Sequence, residues 1–421
     1  MKHTLPKEWQ RVRLGDIALK IFSGGTPQST KEEYYQGNIP WLNTGEVKNT
    51  RIYQTEKYIT ELGLQNSSAK WVKIDSVIIA LYGATAGKVA INKIPLTTNQ
   101  ACCNIILNSK KAYYEYIYYA ISNAYLHLFS LASGTARSNL SVSLIADYKI
   151  PLPPLAAQNN IARILSVLDS KIELNNRINK ELENLAKLLY TRYFVEFNFP
   201  NEQGKPYKSS GGAMVYNETL KREIPKDWEV ENIETNSLAS IIQAKIDTFT
   251  GEKIYLPTSA IQNDVIVDLS NTTTFETRES RANMQPIKDS VWFAKMKDSK
   301  KYIYFGDYSN SIYSLILLTG MCGLSCKHNA LEYMWNVISS NEFDVMKNAF
   351  ANGSTQQAIN EKTLKLIPLV IPNESVLDDF HAKTYAIYKQ KYLNQQESHI
   401  LSNYRDFLLP LLMNNQVEAL G

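Results

Sequence analysis

Hydrophobic residues recur every seven positions in two distant stretches of this chain. Ile161, Leu168, Leu182 and Leu189 form one stripe, with Leu165 and Ile172 between them and a polar Asn175 at the midpoint. Phe380, Ile387, Leu401 and Leu408 form the other, with Asn394 in the corresponding place. A sustained seven-residue apolar repeat marks a helix that packs along another helix. The first stretch meets no Gly or Pro before Pro200, and the second none before Pro410. Helices are therefore expected over 155–197, about 64 Å at the standard rise, and over 374–416, the latter bent or ended at Pro410. One such helix cannot hide its stripe, but two in one chain can cover each other. An antiparallel pair would set Asn175 opposite Asn394, and a buried Asn pair fixes register at some cost in stability.

The two stripes lie 219 residues apart, and the same offset carries Pro6, Trp9, Gly134 and Pro153 onto Pro225, Trp228, Gly353 and Pro372. The chain is a tandem duplication. Ahead of each helix, period-two and short apolar runs such as 77–81, 101–107, 265–267, 291–294 and 312–318 read as strands. Short helices are expected near 112–131, where Tyr113, Tyr116, Ile117 and Ala120 share one face, and near 331–338. A Gly/Ser/Pro-containing connector spans 197–212. The expected architecture is α+β, with two mixed domains separated by two long antiparallel helices in a pseudo-two-fold repeat. The domains are 1–154 and 218–373, the helix and connector 155–217, and the last helix 374–421.

A chain of 421 residues is long enough for two separate cores. No apolar run is long enough to span a bilayer and residues 1–10 show no signal-peptide hydrophobic region, so the expected location is cytoplasmic, away from membranes. The four cysteines, Cys102, Cys103, Cys322 and Cys326, suit buried reduced thiols better than a disulfide framework or a metal site. The net charge of +4 permits nucleic-acid binding without requiring it. The segment 83–89 echoes a phosphate loop, but only three residues separate Gly83 from Gly87 and no Ser or Thr follows Lys88. The five histidines lack metal-ligand spacing, and neither a dinucleotide fingerprint nor a methyltransferase motif is present. No metal and no catalytic residue is expected in this chain.

What remains is a set of polar, glycine-bearing loops in each half: 23–27, 43–45, 83–88, 97–100 and 133–137, then 280–283, 295–301 and 353–357. Amides and Arg read base edges, while Lys, Ser, Thr and backbone N–H groups grip phosphates. Turns are polar in any protein, so it is the recurrence in both halves that favours binding over mere turn chemistry.

On these residues the chain resembles the specificity subunit of type I restriction-modification systems. The likeness rests on 224–228 (Ile-Pro-Lys-Asp-Trp), 23–27 (Ser-Gly-Gly-Thr-Pro), Gly83-x-x-x-Gly87-Lys88-Val89, 151–155 with Gln158, and the 204–212 run Gly-Lys-Pro-Tyr-Lys-Ser-Ser-Gly-Gly. The second copy departs from the pattern at 370–373, which lacks the double proline and the following Gln. The resemblance implies two target-recognition domains, each reading half of a split site in double-stranded DNA, with helices that act as a ruler and dock two methyltransferase subunits. Those partners would bring S-adenosylmethionine, and restriction subunits would bring ATP and Mg, leaving this chain without a cofactor. Candidate DNA contacts are Thr26, Asn43, Lys48, Tyr82, Lys88, Asn99 and Arg137, then Arg281, Asn283, Lys295, Lys301, Ser354 and Gln356. Alternatives are a specificity subunit of a related type II-like enzyme, a non-DNA coiled-coil adaptor, or a nuclease or single-chain modification enzyme. The last would need a motif this chain does not display.

Overall fold

The computed structural model describes residues 8–133, 139–353 and 357–417. The chain forms two compact units. The first takes residues up to Leu174 and from Glu397 onward; the second is Asn175–Gln396. Both long helices, Leu155–Tyr190 and Glu374–Met413, contribute to both units.

In the first unit a five-stranded sheet runs in the order Ala18–Ser23, Cys102–Leu107, Val77–Ala80, Val89–Asn92, Thr50–Ile52. Val77–Ala80 and Val89–Asn92 are buried at every residue, which is why they read as unbroken apolar runs rather than alternating ones. A four-stranded sheet contains Tyr35–Leu42 and Leu96–Thr98 at its centre. The core continues from Val77, Ile79 and Tyr116 onto Ile161 and Leu165 of one long helix and Leu412 and Met413 of the other. The expected helix near 112–131 is two helices, Tyr114–Asn123 and Tyr125–Ser133.

A buried ion network ties the sheet to both long helices of this unit. Arg51 is 7 % exposed, and it donates to Glu115 at 2.6 Å, Glu173 at 3.1 Å and Asp169 at 3.3 Å. Asp169 also accepts from the Tyr119 hydroxyl at 2.6 Å and from Arg405 at 2.9 Å. Burial alone would lower the Arg51 pKa, but the bond to Glu115 and its neighbours more than offsets this, holding the guanidinium well above its ordinary value.

The second unit has two four-stranded sheets, one built on Ser290–Ala294 and Met321–Cys326, the other on Lys253–Leu256 and Leu315–Leu318. The duplication is visible in backbone pairing. Gln10–Arg13 pairs antiparallel with Lys149–Leu152, and Glu229–Asn232 with Pro368–Ile371, in the same register at the same offset. Along the helix pair, Asn175 Nδ2 donates to the Asn394 carbonyl at 3.4 Å, Asn394 Nδ2 to Asn179 at 2.8 Å, and Asn179 Nδ2 to the Lys391 carbonyl at 3.4 Å. All three asparagines are buried.

Three expected elements differ in detail. The first long helix is α-helical to Tyr190 and then widens into a π turn, Thr191–Val195, which puts the adjacent Tyr193 and Phe194 both into the core against Phe380. The second passes through Pro410 to Met413, because burial of Leu412 and Met413 compensates for the missing hydrogen bond. Of 312–318 only Leu315–Leu318 is a strand; Asn310–Ser314 is a 3₁₀ turn in which the Ser314 hydroxyl donates to the Ser311 carbonyl at 2.9 Å. The four cysteines are free and buried, and burial pushes the Cys103 thiol up to about 12.

In the second unit His381 Nδ1 donates to the buried Glu332 at 2.7 Å, with Asp289, Asp307 and His328 also facing it. The bond to Glu332 raises the His381 pKa above its ordinary value.

Two outcomes follow from these buried charges. Replacing Arg51 with Ala takes the nearest cation from buried Glu115, leaving it only Lys93 at 3.7 Å, and one of two from Asp169, and is expected to cost about 3–5 kcal/mol, measurable by urea unfolding. The raised His381 pKa stabilises the fold fully below about pH 6.5, and that contribution disappears as pH rises through the folded-state value. In thermal unfolding across this range, H381N should lose that part of the slope.

Candidate nucleic-acid interface

Loops that are far apart in the first unit's sequence meet at one place. Gly24 N–H donates to the Cys102 carbonyl at 3.1 Å, Gly25 N–H to the Thr98 carbonyl at 2.8 Å, and Asn99 N–H to the Leu42 carbonyl at 3.0 Å. These bonds join the loops 23–27, 43–45 and 97–100. Trp41 Nε1 donates to the Gly25 carbonyl at 3.0 Å and Tyr35 to the Pro27 carbonyl at 2.6 Å, holding the turn from the neighbouring sheet. Both glycines are required by close approach: a Cβ on Gly24 would lie 2.2 Å from the Thr98 carbonyl oxygen, and one on Gly25 2.1 Å from the Ala69 nitrogen. The loop 83–88 joins the same patch. Thr85 donates to the Thr44 carbonyl at 2.7 Å, and Val89 N–H to the Asn49 side chain at 3.1 Å.

The candidate residues of this unit take up distinct positions in the patch. Thr26 is exposed and its hydroxyl donates to Gln100. Asn99 donates to Asn43 at 3.5 Å, while its own oxygen accepts from Ala101 N–H at 3.2 Å, so it shapes the turn. Asn43 is half-buried; its N–H donates to Glu46 at 3.0 Å. Lys48 is exposed, and Tyr82 and Lys88 are half-buried. Arg137 lies outside the described residues.

In the second unit, Arg281, Asn283 and Lys295 come together. Thr319 N–H donates to the Arg281 carbonyl and Lys295 N–H to the Gly320 carbonyl, each at 2.9 Å. Lys295 and Met284, next to Asn283, line a recess of about 520 Å³ that also takes in Gln243, Asn360 and Lys362. Arg281 is exposed. Lys301 is turned elsewhere, its Nζ donating to the Thr258 carbonyl. The segment 295–301 is held from beneath by the helix Asn341–Phe350. Lys347, fully buried, donates to the Ser299 carbonyl at 2.7 Å and pairs with Asp344 at 2.8 Å. Asn348 and Asp298 exchange two bonds, at 2.9 and 3.0 Å. Ser354 and Gln356 lie outside the described residues.

Gln243, Asn360 and Lys362 went unnoticed in the sequence because they sit singly in ordinary contexts, without glycine or clustered charge beside them. Only the fold brings them together. Among the described residues no group of three or more His, Cys, Asp or Glu side chains is placed to hold a metal ion, and no helix is long and apolar enough to cross a membrane.

Comparison with known proteins bears on both units. Residues 6–184 match the family model for the type I restriction modification DNA specificity domain. The type I restriction enzyme MjaIX specificity subunit of Methanocaldococcus jannaschii is 26 % identical, across 99 % of this chain and 95 % of its own length. The EcoR124I/EcoR124II specificity subunit of Escherichia coli is 30 % identical over 47 % of this chain and 49 % of its own. In fold, the chain is similar to the crystal structure of a type I restriction-modification system S subunit from M. genitalium, with a TM-score of 0.58 and 14 % identity, covering 98 % of this chain and 97 % of that one.

The close packing under the first patch gives a direct test. G24A should lower the thermal unfolding temperature and separate the three loops, seen as increased amide exchange at 97–100 as well as at 23–27; unchanged exchange would contradict the contact.

Proposed function

We propose that this type I restriction-modification specificity subunit reads a DNA sequence in two halves, one with each unit, and that its long helices carry adenine methyltransferase subunits. The observation that carries this reading is the convergence, in each unit separately, of polar loops distant in sequence onto one patch. Full-length similarity to a type I restriction enzyme specificity subunit supports it. Lys48, Lys88 and Lys295 supply the salt-sensitive hold on phosphates, and amides together with Arg281 discriminate among bases.

The helices supply the docking surface and the ruler. Leu393, Ile400 and Phe407 recur every seven residues on the outer side of the second helix, and Phe407 is 66 % exposed. Apolar groups left in water at this spacing suit a partner helix or groove. The Asn175, Asn179 and Asn394 bonds set the register of the pair, and helix length then sets the gap between half-sites. S-adenosylmethionine is held by the methyltransferase partners, and ATP and Mg by the restriction subunits.

Mapping methylated adenines in cells with and without this chain tests the reading: a two-part motif should appear only with it. R281A should weaken methylation according to the sequence of one half-site and leave the preference for the other half unchanged. Equal loss for both halves would contradict one reader per unit.

A further inference from the structure

The recess of the second unit opens beside strand Ala239–Ile241, the start of strand Met321–Cys326 and helix Glu361–Leu364. Its floor is apolar, with Ile241, Met284 and Met321, and its rim carries Gln243, Lys295 and Lys362. A side-chain amide reads adenine through two bonds at once, its oxygen accepting from N6 and its nitrogen donating to N7. Both amide atoms must therefore be free of protein partners.

That requirement separates the amides around the recess. Asn283 uses its Nδ2 on the Ala244 carbonyl at 3.3 Å. Asn360 uses its Oδ1 on the Thr363 N–H at 3.2 Å, as the cap of the short helix. Gln243 is exposed, and among the described residues its amide has no protein partner. Its backbone is nonetheless held on both sides, because Asn283 grips Ala244 and Ile242 N–H donates to the Gly323 carbonyl at 2.8 Å. A free amide on a fixed backbone is what base reading asks for.

The cations divide the same way. Lys297 is bonded to Gln357, Lys300 to Asn341 and Asp344, and Lys301 to the Thr258 carbonyl. Lys295 and Lys362 have no such partner among the described residues, and both stand at the recess.

We infer that Gln243 reads an adenine of the second unit's half-site in the major groove, with Lys295 and Lys362 on the flanking phosphates. This rests on the reading that the unit binds DNA. Asn283 is then a positioning residue that holds Gln243 in place, rather than a base contact itself.

The test uses the full chain with its methyltransferase partners, with methylated adenines mapped across the genome. Q243A should relax one position of one half-site, with discrimination there falling about tenfold or more and the other half-site unchanged. Q243E, which keeps the shape but only accepts hydrogen bonds, should move the preference at that position from adenine towards cytosine. K295A and K362A should leave the motif intact while weakening DNA binding for all sequences, each lowering the salt dependence by about one unit of slope. A thermal unfolding temperature for Q243A equal to that of the parent separates a reading defect from misfolding. If the parent chain specifies a two-part motif and Q243A and Q243E both keep it, the assignment of Gln243 is overturned while the DNA-reading function stands. If the parent specifies no motif, the functional reading itself falls.

Discussion

A long amphipathic helix is stable in water only when its apolar stripe is covered, and in this protein each unit supplies that cover by holding a part of both long helices. In the first unit, Ile161 and Leu165 share a core with Leu412 and Met413. In the second, Tyr193 and Phe194 pack on Phe380. Everything else hangs from these contacts. The sheets close onto the same helices, and the buried cations and carboxylates sit where sheet and helix meet. A buried ion network of this kind adds less stability than its Coulomb energy suggests, because desolvation opposes it, but it tolerates very few alternative geometries.

The two units neutralise a buried carboxylate with different chemistry. A short helix carries a buried glutamate in each, Glu115 in the first unit and Glu332 in the second. Glu115 is met by Arg51, whose charge is permanent, and Glu332 by His381, whose charge is not. The copies have kept the backbone plan, down to the register of the closing strand pair, while exchanging the side chains that occupy it. The exposed loops have diverged further.

Much of the architecture was legible in the sequence because it depends on periodic patterns. The seven-residue stripes gave both long helices, and the constant offset gave the duplication. The buried runs at 77–81 and 291–294 were recognisable as strands from length and composition. What escaped notice depends on contacts between distant residues. The π turn at Thr191–Val195 serves an aromatic cluster that includes Trp228, and Arg51 looks like any surface arginine until Glu115 and Asp169 are brought to it. The candidate site shows the same limit. Loop composition identified the segments that converge, yet it could not tell an amide that is free from one already bonded, as Asn99 and Asn283 are.

The discontinuity of the first unit has a consequence for how the chain comes off the ribosome. Its sheets are translated early, but the helical segment carrying Leu412 and Met413, which completes its core, is translated only after the whole of the second unit. The second unit, Asn175–Gln396, is contiguous and can close as soon as it has emerged. Order of completion is thus the reverse of order of synthesis, and the early-made sheets must wait with apolar surface uncovered, the interval in which a nascent chain is most open to chaperones and to mispairing.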